Sequence, residues 1–139
     1  MSTKYRAKIS KKNKYWISKH RFYEIAHHCM QYKEWIDEYK VLSGKAIDGV
    51  DYDGMPHGTN VGNPTEALGM KLTELKSKID TVEMTAIETD PTLAKYILKA
   101  VTNEDVTFNY LKTIMEMPCE RDMYYDRRRR FYWLMSQKI

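Results

Sequence analysis

Between residues 19 and 41 apolar side chains return every three or four positions: Phe22, Ile25, Ala26, Cys29, Tyr32, Ile36 and Tyr39. That spacing lays one stripe along a helix, so a helix is predicted over 19–41, with Trp35 flanking a core-facing stripe. A second stripe follows: Leu68, Leu72, Leu75, Ile79, Val82 and Ala86 alternate steps of four and three. Such heptad spacing suits a helix–helix seam, with Lys71, Glu74, Lys76, Lys78, Asp80 and Glu83 turned to solvent. The seam could pair with the first helix inside one chain, or join two chains as a homodimer. This helix has clear start signals: Asn63 as N-cap, Pro64 at the first helical position and Glu66 in capping-box register.

Asp90-Pro91 opens a short third helix with Leu93, Tyr96, Ile97 and Ala100 apolar. A break at 102–105 precedes a fourth helix over 106–115, carrying Phe108, Leu111, Ile114 and Met115. Pro118 stops it, Cys119 stands at the N-cap position of the last helix, and Asp122 favours that helix's N-terminal end. No segment alternates as a strand does. The expected fold is all-α with about five helices. It divides into a basic, flexible arm (1–17), a helical hairpin with a short third helix (18–101) and a C-terminal helix-turn-helix (102–139).

Between the hairpin helices, residues 43–63 carry Gly44, Gly49, Gly54, Gly58, Gly62 and Pro56. A loop of that length is either functional or mobile. Tyr52, Met55 and His57 give it surfaces for docking on a partner. Asp51, Asp53 and Gly54 resemble the start of a calcium loop, but the later ligands and the closing bidentate Glu are missing.

Charge changes the picture more than composition does. The 139 residues carry a net charge of +4. Residues 1–21 hold eight Lys/Arg and no acid, residues 22–119 hold nine basic and sixteen acidic residues, and residues 120–139 hold six basic and three acidic. Basic ends around an acidic middle suit a protein that binds a polyanion and uses its centre for something else. Eleven tyrosines add side chains that both pack and make polar contacts. Two cysteines are too few for a disulfide framework. No apolar run reaches the roughly 18 residues of a membrane span, and the basic N-terminus lacks a secretory apolar core. The expected location is the cytoplasm, bacterial or viral.

Catalytic and metal chemistry find little support. His27, His28 and Cys29 are consecutive on a helix, so their side chains diverge by about 100° each. His57 stands alone, and neither paired-ligand spacing nor a phosphate, dinucleotide or nucleophile motif occurs. No enzyme activity, metal or cofactor is expected.

The segment 117–135 is the most informative: a tight turn, then a helix with four consecutive arginines among aromatics. Arginine pairs bidentately with phosphates and guanine edges. Four successive residues cover about 400° of a helix, so the four cannot share one face. Met123, Arg127, Phe131 and Leu134 are expected toward the core or its edge. Arg121, Tyr125, Arg128 and Tyr132 are expected on the opposite face, flanked by Arg129. A solvated basic helix meeting an acidic protein surface is the alternative.

The segments YDGMPHGTNVGNPTE, TAIETDPTLAKYILKAVTNE and TFNYLKTIMEMPCERDMYYDRRRRFYWLM resemble phage and prophage transcriptional regulators of the RinA/ArpU type. The resemblance spans roughly residues 18–137. In such proteins the C-terminal part is similar to sigma-factor region 4, a helix-turn-helix that reads promoter DNA. The resemblance implies a recognition helix from Glu120 to about Ser136. Glu120, Arg121 and Tyr124 or Tyr125 would approach bases, and Arg128 and Arg129 would lie nearer phosphates. Lys11, Lys12 and Lys14 of the arm, with Lys112 and Arg130, are further candidate phosphate contacts. It also implies double-stranded DNA and host RNA polymerase as partners, and activation of late packaging and structural genes. The turn here reads Glu116-Met117-Pro118, where such motifs commonly carry glycine. Two other functions fit the same elements: a small-terminase-like DNA-packaging adaptor, and a phage protein that binds and inhibits a host protein.

Overall fold

A computed structural model describes residues 10–48 and 64–139, and these are helical with no strand among them. In chain order the helices are α1 (Lys19–Met30), α2 (Tyr32–Asp48), α3 (Pro64–Thr89), α4 (Ala94–Val101), α5 (Phe108–Thr113) and α6 (Arg121–Ser136). The fold is all-α, as the periodicity implies.

The helix expected over 19–41 is two helices. Gln31 lies between them, and its N–H bonds the carbonyl of His28, a tightened closing turn. The break re-aims the apolar face. Upstream, Phe22, Ile25, Ala26 and Cys29 are buried as expected, but downstream Trp35 is buried while Ile36 and Tyr39 are half-buried. α2 then continues to Asp48, so residues 43–48 are helix rather than loop. A single glycine costs a helix only about 1 kcal/mol, and Lys45, Ala46 and Ile47 tolerate a helix well. The rest of the expected loop lies outside the described residues, with its calcium-like Asp51 and Asp53, with Tyr52, Met55 and His57, and with the Asn63 cap. So do residues 1–9 of the basic arm.

The described residues divide into two compact units, one drawn from Met1–Tyr32 and Thr81–Ile139, the other from Lys33–Asp80. In the second unit α2 and the first part of α3 run side by side. Lys71 reaches Glu38 at 3.9 Å, and the Lys78 ammonium lies 5.9 Å from the centre of the Trp35 ring. Leu75 and Ile79 are buried in the single chain.

The first unit is built on α1, α4 and α6, which pack on one another. Its interior is formed by Phe22, Ile25, Ala26 and Cys29 from α1, Tyr96, Ile97, Ala100 and Val101 from α4, and Tyr124, Phe131, Tyr132 and Met135 from α6. Phe22 and Tyr132 stack edge-to-face at 4.9 Å. Arg21 ties α1 to the end of α6 by donating to the carbonyls of Ser136 (3.1 Å) and Ile139 (2.5 Å). Lys138 likewise donates to Thr85 at 2.9 Å and pairs with Glu88 at the end of α3. The boundary expected between 101 and 102 therefore separates no unit. The last helix is part of the core that holds α1 and α4, because its aromatic face has to be buried somewhere.

Candidate nucleic-acid interface

The segment expected as a helix-turn-helix consists of α5, the turn 114–120 and α6. α5 is shorter than the expected 106–115. Thr107 caps it by accepting from the Tyr110 N–H at 3.1 Å. The turn is held from inside. Met117 and Leu111 are buried, and the Met117 N–H bonds the Leu111 carbonyl at 3.0 Å. Glu116 has φ 55°, so it takes the left-handed conformation that glycine would adopt without strain. The turn is kept although glycine is replaced. Lys112 Nζ closes the turn by donating to the Cys119 carbonyl at 3.1 Å and to Glu120 Oε1 at 2.9 Å. This expected phosphate contact is thus engaged in holding the start of α6. The N-cap residue is Glu120, in extended conformation, and not Cys119. Cys119 is buried one position earlier, where a small apolar thiol packs better than it caps.

α6 presents a different face from the one the sequence suggests. Its buried residues are Tyr124, Arg128, Phe131, Tyr132 and Met135. At 3.6 residues per turn they fall within about 100° of the helix circumference. Phe131 is inside and Arg127 and Leu134 are half-buried, as expected of the core and its edge, but Met123 is exposed. Arg128 and Tyr132, expected outside, are inside. Arg128 is 5 % exposed, and its guanidinium carbon lies 5.4 Å from the Tyr132 ring, 5.8 Å from Tyr125 and 5.9 Å from Phe22. An aromatic cage of this kind compensates a buried guanidinium, and its methylene stem packs as an apolar chain. Arg128 therefore cannot serve as an exposed phosphate contact. Tyr124 is also withdrawn from base contact, with its ring 5.6 Å from Phe108 and burial pushing its hydroxyl up to about 12.

The neighbouring arginines have further tasks. Arg127 Nε donates to Asp90 Oδ2 at 2.9 Å, and Nη1 to Asp126 Oδ2 at 2.5 Å. Asp90 in turn accepts from the backbone N–H groups of Thr92 and Leu93 at 3.0 and 3.2 Å. Burial alone would raise the Asp90 carboxyl, but the hydrogen bonds from Arg127, Leu93 and Thr92 outweigh it and hold the group below its ordinary value. Arg130 Nη1 donates to the Tyr15 hydroxyl at 3.4 Å. That bond, helped by Lys14, pulls the Tyr15 hydroxyl below its ordinary value despite burial.

Of the other expected contacts, Arg121 is exposed at the leading end of α6, Glu120 is exposed but paired with Lys112, and Tyr125 and Arg129 are half-buried. The Arg121 guanidinium carbon lies 5.1 Å from the centre of the Phe108 ring, which links it to α5. Lys11, Lys12 and Lys14 are exposed, but residues 10–16 are not a free arm, since Tyr15 is buried and lies 5.8 Å from Trp133. Helical periodicity singles out none of Tyr15, Trp16 and Trp133. Two adjacent aromatics in a lysine-rich stretch are the signal that could have found the first two, because disordered tails are poor in aromatics. Among the described residues no cluster of His, Cys, Asp or Glu could hold a metal ion. Cys29 is buried, which pushes its thiol up to about 12 and leaves it inert. No helix among the described residues is long and apolar enough to cross a membrane. Comparison with protein families, with curated proteins and with solved structures finds no match for this chain.

Proposed function

We propose that this protein is a phage-encoded, sequence-specific DNA-binding regulator of transcription that acts in the cytoplasm of the bacterial host. One observation carries the reading. α5 and α6 are joined by a turn locked through Met117 and Lys112, and the leading end of α6, with Arg121 at its first position, stays exposed. A helix presented this way enters a major groove by its N-terminal residues. Arg121 suits a guanine edge, and Glu120 suits the amino group of cytosine. Tyr125, one turn further along, would approach bases as well, and Arg129 would lie nearer the phosphates. Activation of late genes through host RNA polymerase is part of the proposal. It is supported by the resemblance of the C-terminal segment and by the acidic excess of residues 22–119.

A second reading has its own observation. Glu116 in the turn and Asp122 beside Arg121 are exposed, and Glu120 is exposed and paired with Lys112. Exposed carboxylates in the turn and at the start of α6 oppose a phosphate backbone and suit a basic protein surface, as an inhibitor of a host protein would need. Selection of bound duplexes from a random library separates the two. An enriched sequence supports the regulator, and the absence of any enriched sequence supports the protein-binding reading.

A further inference from the structure

The segment before α1 is a built element. The Asn13 N–H bonds the Ser10 carbonyl at 2.8 Å, and the Lys12 N–H bonds the Ser10 hydroxyl at 3.1 Å. Asn13 Oδ1 accepts from the Tyr15 N–H at 2.8 Å, and the Asn13 carbonyl accepts from the Trp16 N–H at 3.0 Å. These bonds hold a compact turn whose lysines are exposed while Tyr15 is buried. Tyr15 lies beside Trp133 on α6, and Arg130 donates to its hydroxyl. Lys14 Nζ lies 5.0 Å from the Tyr15 ring centre, and Lys11 Nζ lies 5.9 Å from that of Trp16.

The docking places Lys14 over the Tyr15 ring whose hydroxyl Arg130 contacts, with Lys11 and Lys12 exposed in the same turn and Arg129 one helical step from Arg130. Among the described residues no carboxylate lies within ion-pair distance of Lys11, Lys12, Lys14, Arg129 or Arg130. Asp126, one turn before Arg130, is already taken by Arg127. Like charges held together in this way weaken the folded state until a polyanion neutralises them. The ring contacts offset part of that repulsion and fix where the ammonium groups stand.

We propose that residues 10–16 and the outer flank of α6 form one preformed ridge that binds the phosphate backbone of duplex DNA, with Tyr15 as the positioning residue that seats it. The proposal rests on the DNA-binding reading above and adds a second contact region at the far end of the recognition helix. It makes the lysines a fixed part of the interface and not a tethered tail.

The test is the salt dependence of binding of the full chain to a labelled duplex. The variant Lys11→Ala/Lys12→Ala/Lys14→Ala changes only exposed side chains. Every phosphate that is no longer neutralised should flatten the slope of log K against log salt by about 0.9, so a decrease of about two to three units is expected. Tyr15→Ala keeps every charge and should flatten the slope nearly as much, because the lysines lose their seat. If Tyr15→Ala fails to fold, Trp133→Ala opens the same contact from its half-buried side. A parent that binds duplex and a triple variant with the same slope would overturn the ridge and leave the DNA-binding reading standing. A lowered slope in the triple variant with a parental slope in the folded Tyr15→Ala or Trp133→Ala chain would overturn the preformed seat. A parent that binds no duplex, but is captured by an acidic polypeptide, would overturn both readings.

Discussion

Replacing Arg128 with alanine should damage the fold before it touches DNA binding. Its guanidinium sits among Phe22, Tyr125 and Tyr132, and the residue is 5 % exposed. Truncation removes two buried methylene groups, Cγ and Cδ, worth about 0.8 kcal/mol each. It also removes a desolvated cation–ring interaction worth roughly 2 kcal/mol. The rotamer freedom that Arg128 gives up on burial, about 2 kcal/mol, no longer opposes folding. The net expectation is a destabilisation of about 1–2 kcal/mol, to which any cavity term adds. Arg128→Met fills the space and should avoid the cavity term, but it still loses the cation–ring interaction of about 2 kcal/mol. Urea unfolding followed by circular dichroism measures both, and duplex affinity is then compared at a temperature where each variant is fully folded. A stable Arg128→Ala chain with unchanged midpoint and weakened DNA binding would refute the aromatic cage and restore Arg128 to the surface.

The pair Asp90–Arg127 sets a pH dependence. A carboxyl held below its ordinary value contributes stability that is fully present above the unfolded pKa, near 4, and is lost as pH falls through the folded value. Parent and Asp90→Asn should therefore differ most in melting temperature at neutral pH and converge in acid; parallel curves down to about pH 2 would contradict this. Glu116→Gly should leave stability unchanged or raise it by up to about 1 kcal/mol, because relief of the left-handed strain exceeds the entropy that glycine adds to the unfolded chain. A clear drop in thermal melting would mean that the Glu116 side chain makes a contact that matters. Leu75→Ala should cost about 2–5 kcal/mol in denaturant unfolding, while Lys76→Ala, next to it and exposed, should cost little. Equal costs at the two positions would misplace the α3 stripe.

Helix type and helix order were legible from apolar spacing alone, because the stripes of α1 and α3 follow the helical period closely. The turn before α6 was legible from Pro118 and the apolar residues around it. Side-chain partition on α6 was not. Arginine is assigned to solvent by default, and only the arrival of Phe22 from a helix about a hundred residues away turns the Arg128 side into an interior. The same applies to Tyr15, whose burial depends on Trp133 and Arg130. Contacts between residues that far apart leave no local periodic trace. The break at Gln31 was hidden for a different reason: neither proline nor glycine marks it, and the three- and four-residue steps run straight through it. The extension of α2 past Gly44 shows the converse, since Gly44 and the glycines that follow it in sequence read as one loop although the helix runs through Gly44 to Asp48.

The most direct test of the central claim is duplex selection carried out in parallel with the parent chain and Arg121→Ala. Arg121 is exposed at the first position of α6, and a bidentate contact to guanine is worth about 1–3 kcal/mol of discrimination. The parent should enrich a defined sequence. Arg121→Ala should enrich the same sequence with preference lost at one or two positions, at nearly unchanged non-specific affinity. A parent that enriches no sequence, or an Arg121→Ala variant whose selected sequence is identical at every position, would contradict the proposal that α6 reads DNA.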